Sequence, residues 1–466
     1  MTSPLRALCA VLMATLAAGC TLAPRYERPI LPVPSAWDTP GNEEGTGTAA
    51  LELPWRDYFT DTRLRTVIEL ALTNNRDLRI ATLNIERARA MYRIQRADLF
   101  PSVDLAGGQN AQRVPESLSQ TGNAYVARQF SSSASASWEL DFFGRIRSLN
   151  NQAVELYLAT EEARRSAQIS LVAEITNVWL AMAADRELFE LARSTFDTQQ
   201  KSVELIRKSF AAGAASALDL AQARTAMERA RADTARYTAQ LARDRNALAM
   251  LTGAPVPESL QAETLAGALS TVADLPAGVP SEVLVRRPDV LQAEHMLLAA
   301  NANIGAARAA FFPRIALTAG AGTASPTLDG LFESGSRLWT FAPQITLPVF
   351  HAGALRANLN RAEIERNIQI ALYEKTIQSA FREVADALAD RATLAEQIDA
   401  RSELVSAAKE SYRLSEARYR GGLDSHLVLL DAQRSQYAAE QELIATRLAE
   451  ASNRVMLYKV LGGGWK

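Results

Sequence analysis

The chain of 466 residues is poor in the residue types that build metal centres and disulfide cores. Its two cysteines, Cys9 and Cys20, both lie within the first twenty residues, so the remainder has neither a disulfide nor a thiolate ligand. The three histidines, His295, His351 and His426, stand too far apart to form a ligand pair on one helix. We therefore expect no metal site and no cofactor.

The sequence also lacks the patterns of common enzyme sites. We find neither a glycine-rich phosphate loop nor a dinucleotide fingerprint. Asp424, Ser425 and His426 are consecutive, but neighbours on one turn cannot face each other as a nucleophile, its base and the residue that orients the base must. We therefore expect a protein that is not an enzyme and has no catalytic residues.

Neither sign of charge dominates, since 50 Lys and Arg residues stand against 52 Asp and Glu residues. This balance lacks the basic excess typical of proteins that bind nucleic acid. With 48% hydrophobic residues the chain is too apolar for a disordered protein, and its mean hydropathy near zero does not suit a bundle of membrane-spanning helices.

The first twenty residues have the pattern of a bacterial signal peptide. Arg6 precedes an apolar run, residues 7–18, that is too short to span a membrane. Small residues then lead directly to Cys20 in the order LAAGC, which is similar to a lipoprotein cleavage box. We predict a signal peptide over 1–19 and covalent lipid on Cys20, the alternative being an ordinary signal peptide cut elsewhere. The Pro-, Gly- and Thr-rich residues 20–60 predict an extended tether.

Two copies of one unit make up the rest of the chain. The turn in RYRGGLDSHLVLLDAQR, residues 418–434, has a counterpart in FAAGAASALDLAQART, residues 210–225. The landmark residues recur 212 or 209 positions apart: Asp77 with Asp289, Gly144 with Gly353, and Gly213 with Gly422. We predict a first repeat (61–251), a loop-rich connection (252–285), a second repeat (286–461) and a short tail (462–466).

Each repeat has one helix, two strands and two long helices. Helical spacing from 61 to 99 changes at Pro101 to an alternation of period two. The predicted strands have one apolar face with Trp or Phe near an end, and a polar loop is predicted over 109–129. The strands are 103–107, 133–142, 315–319 and 339–349. Such strands are typical of a transmembrane β-barrel, although hairpins over a soluble core give a similar pattern.

Four strands in one chain leave two open edges, which lipid cannot satisfy. A membrane location therefore requires a barrel made by several chains. Two copies would give eight strands and a filled interior, whereas three would give twelve strands and room for a pore.

The long helices are free of proline over 144–210 and 353–419, which predicts rods of about 100 Å. Return helices are predicted over 216–251 and 425–461. One heptad frame in the second repeat predicts coiled-coil packing, with an interruption at Arg391. The frame comprises Ile377, Phe381, Val384, Leu388, Ala395, Ile398, Val405 and Tyr412.

Three motifs resemble those of a known family, the OprM/NodT branch of TolC-like outer-membrane efflux lipoproteins. They are LPAGVPSEVLVRRPDV (275–290), RYRGGLDSHLVLLDAQR (418–434) and LYKVLGGGW (457–465). The resemblance covers nearly all of the mature chain. It implies a mixed α/β membrane protein of the Gram-negative outer membrane. In such a homotrimer a barrel with four strands per chain continues into a periplasmic tunnel of coiled-coil helices.

The resemblance also implies partners and a function. The partners would be a periplasmic adaptor, or membrane fusion protein, and an inner-membrane pump of the resistance-nodulation-division type. The trimer would be the passive exit duct of a multidrug efflux pump. A role in peptide or protein export, or as a structural envelope lipoprotein, remains as an alternative.

Charge has collected on the second tip only, which points to a gate there. Leu427, Asp431 and Arg434 share one helix face and could present a hydrophobic and an anionic ring to a three-fold axis. The resemblance implies gate residues at Leu427 and Asp431, with Arg418, Tyr419 and Arg434 in a surrounding polar network. The alternative is that Asp431 and Arg434 form an exposed ion pair on the helix.

Exposed turns at the ends of rigid helices are the surfaces that a partner reaches most easily. We therefore predict adaptor contacts at the two tips; plain turn geometry is the alternative. The candidates are Gly213, Ser216, Leu218, Gly421, Gly422 and Ser425.

Overall fold

The computed structural model describes residues 21–37, 53–120, 122–269 and 281–465. The predicted signal peptide, Cys20 and parts of the predicted tether and connection lie outside the described residues. The chain forms two compact units. Among the described residues, the strand unit comprises 21–30, 84–161 without 121, and 292–373. The helix unit comprises 31–37, 53–83, 162–269, 281–291 and 374–465.

Helices and strands follow the predicted order in both repeats. The predicted tether is not extended throughout, because it ends in the short helix α1 (Trp55–Tyr58). The first repeat contains α2 (Thr62–Asn74), α3 (Arg76–Ala97), β1 (Ser102–Val114), β2 (Tyr125–Leu140), α4 (Arg145–Ala211) and α5 (Ala217–Thr252). After α6 (Leu265–Leu269), the second contains α7 (Pro288–Ala309), β3 (Arg314–Ser325), β4 (Arg337–Thr346), α8 (Ala354–Arg420) and α9 (His426–Val460).

The four strands form one antiparallel sheet in the order β1-β2-β3-β4. The register places the apolar positions of all four strands on one side, which we call the apolar face, and the opposite side is the polar face. Pairs on the apolar face include Val103 with Ala136, Trp138 with Leu317, Ala321 with Trp339, and Ile315 with Ile345. Trp339 is 78% exposed on this face, so the large apolar side chains are not covered by the chain's own core. The predicted two-faced strands are confirmed.

The strands differ from the prediction in length. About half of the predicted polar loop 109–129 is strand, because the ladder continues from Gln109 paired with Phe130 to Val114 paired with Tyr125. Backbone hydrogen bonds extend a ladder whether or not apolar and polar side chains alternate. A prediction from hydrophobic alternation therefore makes these strands too short at their outer ends. Conversely, β4 ends at Thr346, before Pro348, which has no N–H to donate.

The helical segment predicted over 61–99 is two helices, broken at Asn75. Asn75 has an extended backbone, and its Oδ1 accepts a hydrogen bond from the N–H of Leu78 at 2.9 Å. Its Nδ2 donates to the carbonyl of Leu251, near the end of α5, at 2.8 Å. One polar side chain therefore both begins α3 and binds a free carbonyl of another helix.

The second repeat makes the same connection with an arginine. Arg287 Nη1 donates to the carbonyl of Val460, near the end of α9, at 2.6 Å. Arg287 lies 212 positions after Asn75, and Val460 lies 209 after Leu251, so these spacings match those of the repeat. The predicted start of α7 at Pro288 is also confirmed.

The Arg287 guanidinium, 9% exposed, is saturated by further partners. It pairs with Asp289 at 2.7 Å and with Glu383 of α8 at 3.0 Å. These carboxylates raise the pKa of Arg287 against the opposing effect of its burial. The motif RRPD therefore does more than begin a helix, because its arginine joins α7, α8 and α9.

An aromatic stack holds the C-terminal motif. Tyr458 stacks on Tyr58 with ring centroids 3.9 Å apart, and the Tyr458 hydroxyl donates to the carbonyl of Leu53 at 2.6 Å. A Cβ atom on Gly463 would lie 2.2 Å from the Tyr458 ring. The glycine run of LYKVLGGGW is thus required by close packing as well as by helix termination.

The buried seam of α8 differs from the predicted heptad frame at alternate positions. Ile377, Val384 and Val405 are buried as expected, but Ala395 is exposed. The seam lies one position earlier than assigned at Phe381, Leu388 and Ala395. At the first two of these, an alanine takes the place of a larger side chain, and small residues permit the closest approach of a neighbouring helix. The buried alternate positions are Ala380, Ala387, Leu394 and Ala408.

Among the described residues, α4 is the one helix with an apolar window long enough to cross a membrane. Because 67% of that window is buried within the protein, the window is typical of a core helix.

Replacing Arg287 with Met should lower the free energy of unfolding by about 3 kcal/mol, because two carboxylates and one carbonyl lose a mostly buried partner. Arg287→Lys should recover little, since an ammonium cannot bond three partners in a fixed fork. The measurement is the thermal unfolding midpoint of the detergent-extracted protein. Arg413→Met, which removes an exposed pair with Glu410, is the control and should leave the midpoint nearly unchanged. Equal midpoints for the Arg287 and Arg413 variants would contradict this account.

Candidate gate at the hairpin tips

The helix unit carries two tips, where α4 turns into α5 and where α8 turns into α9. Gly213 in the first turn has φ 73° and Gly422 in the second has φ 70°. Both glycines have open space where a Cβ atom would lie, so the left-handed backbone is the reason for glycine. Exposed turns result, with the adaptor candidates Gly213, Gly421 and Gly422 on their surface.

A capping box fixes the first tip. Ser216 Oγ accepts from the N–H of Asp219 at 3.1 Å, and Asp219 Oδ2 accepts from the N–H of Ser216 at 2.9 Å. The hydrogen bonds from Ser216 lower the pKa of Asp219. Leu218, between them, is 64% exposed. Ser216 is therefore engaged in helix capping, whereas the Leu218 side chain is available on the surface.

An ion pair closes the second tip. Arg418 binds Asp424 in a bidentate arrangement with N–O distances of 2.6 and 2.9 Å, and this pair lowers the pKa of Asp424. Ser425, another adaptor candidate, begins α9 without a side-chain cap hydrogen bond. Sequence reasoning assigned Arg418 to the network around Asp431 and missed the partner six positions away across the turn.

His426 lies where the two tips meet, and its burial there was not predicted. It is 3% exposed, and neither ring nitrogen has a hydrogen-bond partner among the described residues. The Tyr419 ring of α8 lies 5.4 Å away, and the charge of Asp219 acts from α5. Burial lowers the pKa of His426 and exceeds the opposing effect of Asp219. The ring is therefore held neutral in this arrangement.

The predicted gate residues lie on the uncovered side of α9. Leu427 is 52% exposed, and Asp431 and Arg434 are exposed too, whereas Leu430 and Ala432 between them are buried. In the part of the chain that the structure describes, Asp431 and Arg434 make no hydrogen bond or ion pair. The exposed Asp431–Arg434 pair considered above does not form.

Below the tips, α9 is bonded to α5. The Tyr437 hydroxyl donates to Asp233 at 3.2 Å, and Gln441 donates to the Tyr237 hydroxyl at 3.1 Å. Burial and the neighbouring Asp233 raise the pKa of Tyr437. Sequence reasoning missed these contacts; their helical spacing of four residues on both helices was the available signal.

The family model described as outer membrane efflux protein matches residues 67–254 and 279–463. The toluene efflux pump outer membrane protein TtgC of Pseudomonas putida is 49% identical over 96% of this chain and 93% of its own length. Outer membrane protein OprJ of Pseudomonas aeruginosa is 43% identical over 100% of this chain and 97% of its own length.

Solved structures agree in fold. A membrane protein from Pseudomonas aeruginosa superposes with a TM-score of 0.88 at 42% identity, over 95% of this chain and all of the other. The open state of the MtrE outer membrane channel of Neisseria gonorrhoeae superposes with a TM-score of 0.85 at 40% identity, over 96% and 99% of the two chains.

Acidification should loosen the tips. Burial lowers the pKa of His426 below its ordinary value of about 6.5. The folded tips therefore keep their full stability above that pH and lose stability as the pH falls, because the unfolded chain binds the proton more readily. The groups facing it are Asp219 and Tyr419, with the Arg418–Asp424 pair in the same turn. We expect faster amide exchange in both tips at pH about 5 than at pH about 7.5 after correction for intrinsic rates.

His426→Phe keeps a buried ring that cannot titrate and should remove this pH dependence, while His351→Phe, an exposed site outside the tips, should retain it. Unchanged acid sensitivity in His426→Phe would contradict the assignment.

Proposed function

The chain belongs to the outer membrane efflux protein family, and on that premise we propose that three copies close their sheets into one twelve-stranded barrel. Among the described residues, β1 and β4 are unpaired edges, and lipid offers no partner for free backbone groups. The exposed apolar face supplies a surface for lipid. Three copies leave a pore, whereas two would be filled by side chains.

The function that follows is a passive exit duct of an efflux pump in the outer membrane. The observation that carries it is the two-faced sheet, whose polar face presents small side chains such as Ser131, Ser133 and Ser135. Such a lining hydrates a pore without selecting one cargo. Relatives named for antibiotic, toluene and solvent efflux pumps favour drugs and solvents as the cargo.

Leu427 and Asp431 close the duct at its periplasmic end. Their exposure on one face of α9, without partners among the described residues, supports rings around a three-fold axis. Arg434 lies one turn further on the same face and is free to neutralise Asp431 of another copy. Arg418 and Tyr419 act indirectly, by holding the turn and by packing on His426.

A periplasmic adaptor docks at the tips and opens the gate, with a pump of the resistance-nodulation-division type behind it. The exposed tip surface supports this docking, since Leu218 and Leu423 offer apolar contacts beside Gly213, Gly421 and Gly422. Ser216 and Ser425 then contribute chiefly through the turn geometry that they define.

Lipid on Cys20 anchors the chain beside the barrel. The residues that follow are fixed to α7 within the strand unit: Asn301 donates to the carbonyl of Pro24 at 2.8 Å, and Arg28 pairs with Glu294 at 2.8 Å. A Cβ atom on Gly305 would lie 2.9 Å from Ala23. These contacts support a tether held close to the strands.

The native mass of the detergent-extracted protein tests closure of the sheet. We expect three copies per particle, because that number gives an open twelve-stranded barrel with no free edge. Native mass spectrometry of the outer-membrane fraction is the measurement. A single copy per particle would remove the basis of the duct.

The double variant Leu427→Ala, Asp431→Ala should raise the resting single-channel conductance several-fold, because it removes both proposed rings. Leu218→Ala with Gln222→Ala is the matched control, since these residues occupy the same positions of the first repeat, 209 residues earlier. The control should leave the conductance near that of the unchanged protein. Unaltered conductance in the first variant, or an equal rise in both, would place the gate elsewhere.

A further inference from the structure

The apolar face of the sheet carries three arginines and no acidic residue along its four strands. The three are Arg113 on β1, Arg128 on β2 and Arg337 on β4. All of them lie near the strand ends that are joined by loops, and none near the ends that are joined to helices. On a face that otherwise meets lipid, this one-sided placement requires a reason.

The register brings two of the arginines together. Arg113 pairs with Val126, and Arg128 pairs with Ala111, so the two arginines are diagonal neighbours on adjacent strands. Diagonal neighbours are about 7 Å apart, within the common reach of two long side chains. Arg337 begins β4, which is separated from β2 by β3.

No partner within the described residues neutralises these side chains. All three are exposed and make no ion pair or hydrogen bond there. The acidic residues of the connecting loops do not pair with them; Asp329 instead accepts from the N–H of Gly330 at 3.1 Å.

At the helix-joined end, by contrast, Arg314 is neutralised by Glu139 at 2.7 Å on the polar face. Among the arginines of the four strands, those without a described partner therefore lie only at the loop-joined end of the apolar face.

Aromatic rings lie beside two of the arginines on the same face, although Arg337 itself pairs with Thr323. Two positions further toward the middle of the strand, Arg128 is followed by Phe130 and Arg337 by Trp339. A ligand with a negative headgroup and acyl chains matches this order. The headgroup would lie at the guanidinium groups and the chains against the aromatic rings.

We propose that Arg113, Arg128 and Arg337 form a binding site for the phosphorylated headgroup of an outer-leaflet glycolipid. Guanidinium groups bind phosphate in a bidentate manner, and two adjacent ones match a headgroup with more than one phosphate. The assignment rests on the proposed barrel, because that barrel turns the apolar face to lipid and the loop-joined ends to the outer leaflet.

The test measures affinity of the purified, delipidated full-length protein for lipopolysaccharide with a short sugar core. Changing all three arginines to glutamine should weaken binding by roughly fivefold per arginine, judged from the attraction of one basic residue to an anionic membrane surface. The matched control is Gln112→Ala, Gln129→Ala and Thr340→Ala, on the same strands but on the polar face. This control should bind as the unchanged protein does.

Two further comparisons identify the ligand chemistry. Dephosphorylated glycolipid should bind weakly to the unchanged protein, and vesicles of phosphatidylglycerol should bind less tightly than the phosphorylated glycolipid. Arginine-to-lysine changes at the three positions should retain part of the affinity. Equal binding of the glutamine variant, or equal binding of the dephosphorylated lipid, would overturn the proposal; so would phosphatidylglycerol that binds as tightly as the glycolipid.

Native mass and conductance separate this proposal from the proposed function. The glutamine variant should keep the copy number and the conductance of the unchanged protein, since its changes lie outside the pore. If native mass shows that the unchanged protein is not a closed oligomer, that measurement alone contradicts the proposed duct. If the protein is a closed oligomer but the glutamine variant binds the glycolipid equally well, only the proposed lipid site is contradicted.

Discussion

The structure depends on one type of hydrogen bond, which each repeat makes once. The donor is the side chain of the residue directly before the helix that leads into the strands, and the acceptor is a carbonyl at the end of the return helix. The last carbonyls of a helix have no partner within the helix, so a buried helix end needs a donor from elsewhere. Asn75 supplies it to Leu251, and Arg287 supplies it to Val460. Each bond fixes the base of a hairpin whose tip lies many turns away.

The two repeats satisfy this need with different chemistry. Asn75 is neutral and completes its bonding with a backbone N–H, whereas Arg287 brings a charge that Asp289 and Glu383 must balance. A mostly buried arginine with three partners specifies an arrangement more strictly than an amide does, because each partner is unsatisfied in any other packing. The tips have weaker bonding. The Arg418–Asp424 pair is exposed, and a neutral histidine is buried without a hydrogen bond. A hairpin firm at its base and weakly bonded at its tip suits a gate that must open.

The sequence predicted what repeats and periodicity encode. The two units, the long helices, the two-faced strands and the start of α7 at Pro288 follow from patterns that local sequence carries. The sequence did not predict features that depend on contacts between distant residues. Nothing in the local sequence distinguishes Asn75 from other polar helix residues, because its role comes from the contact with Leu251. The alanines of α8 form the seam only because another helix packs against them. The candidate site divides in the same way: exposed Leu427 and Asp431 could be found from helical spacing, whereas the environment of His426 could not, because three separate helices create it.

Duplication also explains why one tip carries the charge. Two equivalent hairpins in each of three copies would give six similar tips, and a gate made from all six would have to move as a whole. In the gate proposed above, charge on the second tip would let three hairpins move while the other three provide a frame. Asp219 of the first tip is the informative exception, since this carboxylate accepts from the N–H of Ser216 at the start of α5 and its charge acts on His426 of α9. Of the charged residues in the first tip, Asp219 is thus the one whose charge acts on the second tip. We infer that the contact between the two tips, rather than either turn alone, sets how readily the second hairpin moves.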